Sequence, residues 1–521
     1  MDHRTDRRGF LKGATALGAL TASGGLSAFL DACGKGATGG GTAASGSPVR
    51  GGTLKLATVD TPVNMDPQDA ELYSSIQVYH NIFSRLVELD ENFKIQPSLA
   101  HSWKQEDAQT WTVDLVDNAV FHNGDPMTAD DVKFSFERVK SHPNAVFVAA
   151  FQQTEVLSPT RVRFHLSGPF GPFLDALAGF SDVVNQKAVT TTDPKLHPVG
   201  TGPYRMTEWV QNDHITLQKW DKYFEKGLPY LDQVVFKAIG DDSVRLTGLQ
   251  TGELDWIQRV PPQQAKSLAS NKQIVPTAAK PYLPDLVMMN CTKPPFNDQR
   301  VRQAVAWCID SSQIAKLVYF SEGAAATEAV SPPNPWYSGE NPYKGGPDPE
   351  KAKALLKQAG QDDLRITFAG QANLPTQIRT GEILQSQLAK AGIKMQIQNY
   401  AAAQWFEALD KKTYDITSTY WSVSYDPAFA YYPLTLSSSA WNFSGFKSDT
   451  VDGLLQKFVF GADNKARKAA YPDVVKAVAE AAPIVFIDNE LQHYWSRTNV
   501  SGPVPVPTLD IRTIKSWVKR S

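Results

Sequence analysis

Hydrophobic and polar residues follow two different periods along this chain, and the two periods alternate. Segments with apolar residues at every second position predict β-strands, and segments with apolar residues three or four positions apart predict helices. The predicted strands are Gly52–Val59, Trp111–Leu115, Val120–His122, Arg161–Leu166, Ile215–Lys219, Gln233–Ala238, Ile393–Gln398 and Ile484–Asp488. The predicted helices are Leu72–Val87, Thr128–Lys140, Ser243–Thr251, Val301–Cys308, Pro349–Gln358, Gly381–Ala391 and Asp463–Ala482. Mixed elements in this order indicate an α/β protein with more than one sheet.

Two of these helices carry clear start and stop residues. Thr128 can cap the helix Thr128–Lys140, whose first turn holds two aspartates where negative charge is favourable. Gly252 follows the helix Ser243–Thr251, and a glycine there can take the left-handed conformation that ends a helix. The boundaries of these two helices are therefore predicted from chemistry as well as from spacing.

The first residues of the chain are typical of an export signal. Thr5–Lys12 (TDRRGFLK) contains paired arginines, and the run Ala14–Leu30 is uncharged and broken by glycines. A membrane-spanning helix needs about 20 strongly apolar residues, so a removable signal over residues 1–32 is expected instead. With Cys33 the order resembles a twin-arginine lipoprotein signal, which implies that Cys33 is lipidated. Asp31 stands where such signals prefer a small residue, so plain secretion with an incidental cysteine is the alternative.

A lipid anchor and flexible tether are expected over residues 33–48. Gly34–Ser47 consists of Gly, Ala, Ser and Thr apart from Lys35, so it cannot bury enough apolar surface to offset its ordering entropy. As a Gly-rich coil it would span roughly 20 Å root-mean-square. That length would hold a globular body close to a membrane surface.

The composition of the remaining chain is that of a well-packed protein with almost balanced charge. Residues 1–32 hold four of the 52 Lys and Arg and three of the 54 Asp and Glu, so the rest stays close to neutral. Nucleic acid is therefore not expected as a partner. Roughly 490 residues exceed what one core usually reaches, so two or more domains are expected. Cys291 and Cys308 either form a disulfide or remain two buried thiols.

Seven sequence blocks together resemble one protein family. In order, they are Ile95–Trp103, Trp111–Val139, Pro198–Tyr204, Pro229–Phe236, Leu249–Ile257, Pro295–Ala306 and Ala389–Ile393. With their Gly, Pro and Trp residues in place, these blocks look like the peptide/nickel-type (family 5) solute-binding proteins of ABC importers. The agreement extends from about Gly51 to Val506, which is nearly the whole chain after the signal.

The resemblance implies an α/β, bilobal, periplasmic-binding-protein-like fold of type II, with an extra inserted subdomain and two lobes joined by hinge strands. The implied parts are 49–85, 200–281 and 496–521 for the first lobe, 86–199 for the inserted subdomain and 282–495 for the second lobe. A small solute would bind between the lobes, which would close around it. The implied partners are a membrane permease and its ATPase subunits. A monomer without a cofactor is expected at the outer face of the cytoplasmic membrane, or free outside the cytoplasm.

An unusual density of aromatic residues marks the candidate ligand site. In the family, a tryptophan before an Asp-Pro turn faces the cleft, and Trp421 stands in that position. Trp405 and Tyr425 are expected to face the cleft as well, because such rings offer large apolar area with a polar tip. Phe406, Phe443 and Phe446 are expected in the core. Residues 400–446 hold 13 aromatic residues: Tyr400, Trp405, Phe406, Tyr414, Tyr420, Trp421, Tyr425, Phe429, Tyr431, Tyr432, Trp441, Phe443 and Phe446.

The charged anchors of peptide-binding members are replaced in this chain. Those members typically hold the ligand's α-amino group with an aspartate where Ser424 stands, and its carboxylate with an arginine where Gln371 stands. Asp426 either substitutes for the missing aspartate or is a structural turn residue. The remaining candidates are neutral, which also suits an oligosaccharide, so a peptide-like solute is the first hypothesis and a neutral oligosaccharide the second. The full candidate set is Trp421, Ser424, Tyr425, Asp426, Trp405, Gln371, Asn373, Tyr73 and Ser74.

Motifs of catalysis, phosphate binding and metal binding are missing from the sequence. There is no GxSxG nucleophile turn and no HExxH pair, so a secreted hydrolase is the weaker alternative to a binding protein. The run Pro198–Tyr204 (PVGTGPY) lacks the spacing of a phosphate loop and predicts a tight turn between domains. His122 is expected to form hydrogen bonds within a turn, and no two histidines have ligand spacing. No metal site is expected.

Overall fold

The computed structural model describes residues 46–69, 72–90, 94–261, 264, 270–322, 324–332, 334–343, 345–421, 426–461, 463–505 and 511–519. The predicted export signal, Cys33 and all but the end of the predicted tether lie outside these residues. Ser424 and Tyr425 of the candidate site also lie outside them.

The described residues form short and long strands in several sheets. In chain order, the strands are β1 (Thr53–Thr58), β2 (Val87–Leu89), β3 (Ile95–Pro97), β4 (Ala100–Asp107), β5 (Thr110–Leu115), β6 (Phe151–Ser158), β7 (Arg161–Leu166), β8 (Tyr204–Val210), β9 (His214–Lys219), β10 (Gln233–Ala238), β11 (Trp256–Gln258), β12 (Ile274–Met289), β13 (Ala324–Ala325), β14 (Arg365–Gln371), β15 (Lys394–Tyr400), β16 (Ile416–Tyr420), β17 (Ile484–Arg497), β18 (Val500–Ser501), β19 (Val504–Pro505), β20 (Ile511–Arg512) and β21 (Trp517–Val518).

Helices connect most of these strands. They are α1 (Tyr73–Tyr79), α2 (Ala129–Val139), α3 (Phe173–Phe180), α4 (Gln186–Thr191), α5 (Asp242–Thr251), α6 (Gln299–Cys308), α7 (Ser311–Leu317), α8 (Pro349–Gln358), α9 (Pro375–Ala389), α10 (Ala402–Asp410), α11 (Ala428–Thr435), α12 (Asp449–Val459) and α13 (Asn464–Ala481), with a 3-10 helix at Pro143–Val148. Within the described residues, none of the helices combines the length and the apolar character that a membrane crossing requires.

One large sheet joins two groups of parallel strands. Its order is β15-β14-β16-β12-β17-β11-β1-β10-β9-β8. In the first group β1 runs parallel to β10 and β11, and in the second β14 runs parallel to β15 and β16. The antiparallel pair β12 and β17, 16 and 14 residues long, lies between the two groups. Two α/β halves therefore share a central pair of long strands.

A separate four-stranded sheet, in the order β4-β5-β7-β6, is formed by the segment inserted between α1 and β8. Helix α2 packs on this sheet through Phe136, whose ring centroid lies 4.9 Å from that of Phe151 and 4.7 Å from that of Phe164. The apolar cluster that begins here continues into α11, α12 and α13 of the second half. The inserted segment is thus packed against the second half by a continuous core.

Most predicted elements are confirmed, and the chemistry of their ends explains why. Asp131 accepts a hydrogen bond from the Thr128 backbone N at 3.0 Å, so the predicted cap begins α2. Gly252 ends α5 with φ of 84°, in the left-handed region. Asp463 caps α13 by accepting from the Ala466 backbone N.

Several predictions are wrong in extent: α9 begins at Pro375 rather than at Gly381, and β17 continues to Arg497 rather than ending at Asp488. The helix predicted over Leu72–Val87 ends at Tyr79, because the following segment makes a turn against Gly202. Tyr79, Ile82, Phe83 and Leu86 are nevertheless buried, so the spacing of these apolar residues indicates burial rather than a continuous helix. Val120–His122 forms only a bridge from Val120 to Pro126, while β5 pairs with β4 and β7.

The turn predicted at Pro198–Tyr204 is held against the end of the segment after α1. Gly202 N donates to the Ile82 carbonyl at 2.8 Å, and a Cβ on Gly202 would lie 2.6 Å from that oxygen. A glycine is therefore required by close approach of two backbones. His122 bonds the Gly202 carbonyl through Nε2 at 3.0 Å, which confirms its role in a turn, and burial lowers the pKa of its ring to about 4.

The two described cysteines are free thiols. Cys308 is buried and Cys291 is partly buried. Burial raises the pKa of Cys291 to about 11 and that of Cys308 to about 12, so neither is a reactive thiolate at neutral pH.

Candidate functional site

A cavity of about 600 Å³ lies where the parallel strands of both halves end. Asp60 follows β1, Gly240 follows β10, Asn373 follows β14 and Trp421 follows β16, and all four line the cavity. In open α/β sheets, ligands bind beyond the carboxyl ends of parallel strands. The strand directions therefore bring residues that are far apart in sequence to one cavity.

Seven aromatic rings form a connected part of the cavity lining, which we call the aromatic wall: Phe147, Phe180, Phe406, Trp421, Phe429, Trp441 and Phe443. Phe147 and Phe180 of the inserted segment stack with centroids 3.9 Å apart, and Phe180 lies 5.7 Å from Phe429 of α11. Trp441 contacts Phe147 at 5.8 Å and also lies beside Trp421. Two parts of the chain thus build one apolar surface.

Hydrogen bonds fix the two tryptophans expected at the site. Trp421 donates through Nε1 to the Phe429 carbonyl at 2.9 Å, and its ring meets Trp441 edge-on at 5.3 Å. Trp405 donates through Nε1 to the Thr417 hydroxyl at 3.1 Å, and it is almost fully buried. With their indole N–H groups bonded to protein, both rings offer the cavity mainly apolar surface.

The cavity lining also contains polar groups from both halves. Asp60 accepts a hydrogen bond at Oδ1 from Asn373 Nδ2 at 2.5 Å, which links the segment after β1 to the segment after β14. Tyr73 meets Tyr420 edge-on at 6.3 Å, again across the two halves. Burial raises the pKa of Asp60, and the nearby Arg259 guanidinium opposes that shift. The two halves are therefore in direct contact at the polar part of the cavity.

Further polar side chains line the cavity on the side of α1. His80 and Arg85 both belong to the lining, and His80 Nε2 lies 3.9 Å from a carboxylate oxygen of Asp182. Arg85 and Asp182 are buried. The cavity is thus apolar over most of its surface but carries both acidic and basic groups at defined places.

Six of the nine predicted ligand-binding residues are brought together in this lining. Gln371 donates its backbone N–H to Gln377 Oε1, and Ser74 donates its hydroxyl to the Thr61 carbonyl. Phe406 and Phe443, expected in the core, belong both to a core cluster and to the lining, whereas Phe446 belongs to the core cluster. The six residues are Trp421, Trp405, Gln371, Asn373, Tyr73 and Ser74.

Asp426 lies outside this lining and has a structural setting. Its carboxylate is 2.8 Å from Arg467 Nη2, and both side chains are buried. It also accepts from the Ala428 backbone N at 2.9 Å, at the start of α11. Asp175 of the inserted segment lies nearby, and burial together with the Asp426 charge raises its pKa to about 7. Asp426 therefore joins the start of α11 to Arg467 of α13.

Several residues of the cavity lining were not predicted from the sequence. Asp60, His80, Arg85, Phe147 and Phe180 belong to segments that carry no ligand motif. The position of Asp60 could have been recognised, because Asp60 directly follows a predicted strand, and the carboxyl ends of parallel strands form the ligand-binding edge of such sheets. Those of Phe147 and Phe180 could not, since only tertiary packing brings them to the cavity. Among the described residues no group of three or more His, Cys, Asp or Glu could hold a metal ion.

Comparison with known proteins relates the chain to one group. Residues 94–443 match the family described as bacterial extracellular solute-binding proteins, family 5 middle. A glutathione-binding protein, GsiB, of Pectobacterium atrosepticum is 30% identical over 84% of this chain and 88% of its own length. GsiB of Escherichia coli is 32% identical over 65% of this chain and 68% of its own length.

Solved structures share the fold. The oligopeptide-binding protein AppA of Bacillus subtilis, with a nonapeptide, has a TM-score of 0.84 at 23% identity, covering 91% of this chain and 100% of AppA. AgaA of A. tumefaciens, with agropinic acid, has a TM-score of 0.83 at 26% identity over 90% and 99%. The expected α/β, bilobal fold of type II is thereby confirmed.

Proposed function

The chain belongs to family 5 of the bacterial extracellular solute-binding proteins, and on that premise we propose that it captures a peptide-like solute in the cavity between its two halves. The loaded protein would deliver this solute to the permease of an ABC importer, whose ATPase subunits would drive transport. The chain itself would bind without catalysis and without a cofactor, as a monomer.

The cavity of about 600 Å³ is the observation that carries this proposal. Ligand sites are typically enclosed spaces of ~300–1,000 Å³, mostly apolar, with a few polar groups that orient the ligand. The aromatic wall supplies the apolar area, and the groups around Asp60 and His80 supply polarity at defined places. A short peptide offers matching chemistry, because apolar side chains and charged termini occur in one molecule.

The names of relatives support a peptide over the alternative. GsiB proteins are named for glutathione, itself a small peptide, and AppA holds a nonapeptide. A neutral oligosaccharide would bring no cationic group to Asp60, whose pKa is raised by burial that Arg259 only partly offsets, and a buried charge that is incompletely compensated is costly. We therefore place peptide-like solutes first.

Closure of the two halves would accompany binding. The first proposed lobe comprises residues 49–85, 200–281 and 496–521, and the second comprises residues 282–495. Residues 86–199 form the proposed inserted subdomain. The paired long strands β12 and β17 are the proposed hinge, because they alone among the long strands lie between the two parallel groups of the described main sheet. Contacts such as that between Asp60 and Asn373 would form on closure.

Export and anchoring complete the proposal. Residues 1–32 would direct the chain through the twin-arginine route, and lipidation of Cys33 would hold it at the outer face of the cytoplasmic membrane. The support is the order of paired arginines, uncharged run and cysteine, followed by a segment suited to a tether.

Isothermal titration calorimetry of the exported protein tests the binding function. The ligands are a pool of synthetic tripeptides and, separately, a pool of neutral oligosaccharides of similar size. Saturable heat with the peptides, at micromolar affinity or tighter, is expected, together with no release of cleaved products. Binding of the oligosaccharides alone would favour the second ligand class, and cleavage of the peptides would favour a hydrolase.

A further inference from the structure

The contact between Asp60 and Asn373 leaves two hydrogen-bond acceptors side by side in the cavity lining. An ionised carboxylate can only accept, so the Asn373 amide must turn its nitrogen toward Asp60 Oδ1, as the hydrogen bond shows. This orientation directs Asn373 Oδ1 elsewhere. That oxygen is buried and has no hydrogen-bond partner among the residues that the structure describes. Because Asn373 lines the cavity, a donor group of a bound solute can reach this oxygen.

The charge of Asp60 is only partly compensated by the protein. Burial raises the pKa of its carboxyl group, while Arg259 and, more weakly, Arg245 act in the opposite direction without cancelling the shift. Arg259 is itself placed over the Tyr420 ring, 4.3 Å from the ring centroid. A further positive charge in the cavity would therefore stabilise the ionised form of Asp60.

We infer that Asp60 and Asn373 together bind a primary ammonium group of the solute, the free amino end of a peptide-like ligand. An ammonium group carries three donors and no acceptor, which suits a carboxylate beside an amide oxygen. A hydrogen bond between two charged groups is also stronger than one between neutral groups. This inference rests on the proposed solute-binding function and names the chemical group that the solute must carry.

The site would replace the anchor whose absence the sequence revealed. Ser424 stands where an aspartate of the second lobe is expected to hold the amino group, and it cannot supply the charge. Asp60 supplies a carboxylate from the opposite half, after β1, and Asn373 supplies the amide from the second half. An ammonium group bound there would contact both halves at once, so its binding energy would favour their closure.

Matched peptides with and without a free amino group test the inference. The exported protein is incubated with a pool of tripeptides built from Ala, Leu, Phe and Tyr, and separately with the same pool after N-acetylation. Retained peptides are identified by mass spectrometry, and affinities for the best-retained pair are measured by calorimetry. The wild-type protein should prefer the free amine by about tenfold or more, the usual size of a charged hydrogen bond.

Two substitutions then distinguish a role of the Asp60 carboxylate in ligand binding from the general effect of removing a partly buried carboxylate. Asp60→Asn keeps the size of the side chain but removes its charge, and it should weaken binding of the free amine by about tenfold or more while changing the N-acetyl peptide less than about twofold. Asp255→Asn is the control, because Asp255 is also partly buried with a raised pKa but lies outside the cavity lining. That control should leave both affinities unchanged.

The possible outcomes distinguish this inference from the function on which it rests. Equal affinity of wild-type protein for free and acetylated peptides, or an amine preference that survives Asp60→Asn, would overturn the ammonium site while leaving peptide binding intact. Retention of neither pool would overturn the peptide-binding function together with it. Loss of amine preference in Asp60→Asn alone would support the assignment.

Discussion

Truncation of Trp421 should separate a ligand contact from a structural contact. The indole lines the cavity and is partly buried, with its N–H bonded to the Phe429 carbonyl at 2.9 Å. If a solute covers roughly 80 Å² of its apolar face, burial at about 25 cal/mol per Å² contributes about 2 kcal/mol. Trp421→Ala should therefore weaken peptide binding roughly 30-fold, as expected of a tryptophan at the centre of a binding surface.

The same substitution also removes a hydrogen bond and the contact with Trp441, so stability must be measured alongside affinity. Trp307→Ala is the matched control: Trp307 is partly buried and meets Tyr343 edge-on at 5.0 Å, but it lies outside the cavity lining. Calorimetric titration should show weaker binding only for Trp421→Ala, while thermal denaturation should show modest destabilisation for both. Unchanged affinity of the Trp421 variant would remove this ring from the site.

Three further predictions concern stability and location. The pKa of Asp175 is raised from 3.8 to about 7 in the folded protein, so its ionisation destabilises the fold increasingly between about pH 4 and pH 7. Asp175→Asn should therefore stabilise the protein by up to about 4 kcal/mol at pH 8, and thermal melts should show this gain vanishing near pH 4. Arg467→Met removes the cation that faces the buried Asp426 carboxylate. Denaturant titrations should show an unfolding free energy lower by about 3–5 kcal/mol, and an unchanged value would contradict the role of the Arg467–Asp426 ion pair. In cell fractionation, Cys33→Ser should move the protein from the membrane fraction to the soluble fraction, and an unchanged distribution would refute the lipid anchor. The double substitution Arg7→Lys with Arg8→Lys should block export, and normal export of this variant would refute the twin-arginine route.

Local elements were predictable where a short segment determines its own structure. The cap at Thr128 and the left-handed Gly252 place α2 and α5 within a residue or two of prediction, because both signals act within one turn of helix. The prediction of one helix over Leu72–Val87 was wrong for the opposite reason. After Tyr79 its backbone is bonded to the distant turn at Gly202, and the periodicity of the segment itself carries no information about that contact.

The candidate site was predictable in part. Trp421 and Gln371 were accessible through the family resemblance and Trp405 through the density of aromatic residues, and all three line the cavity, as do the predicted Tyr73 and Ser74. Asp60 and Asn373 are 313 positions apart, and their contact depends on how the large sheet joins its two parallel groups. Sequence spacing carries no information about such a pair, so the polar part of the cavity emerged only from the structure.

The solute that the purified exported protein carries identifies what the cavity binds. Native mass spectrometry of protein purified from its own cells, without added ligand, compares the mass of the intact complex with that of the denatured chain. We expect a single extra component that is released on denaturation, fragments as a peptide and carries a free primary amine. A released compound without amide bonds, or unloaded protein that also fails to bind any tripeptide, would contradict it.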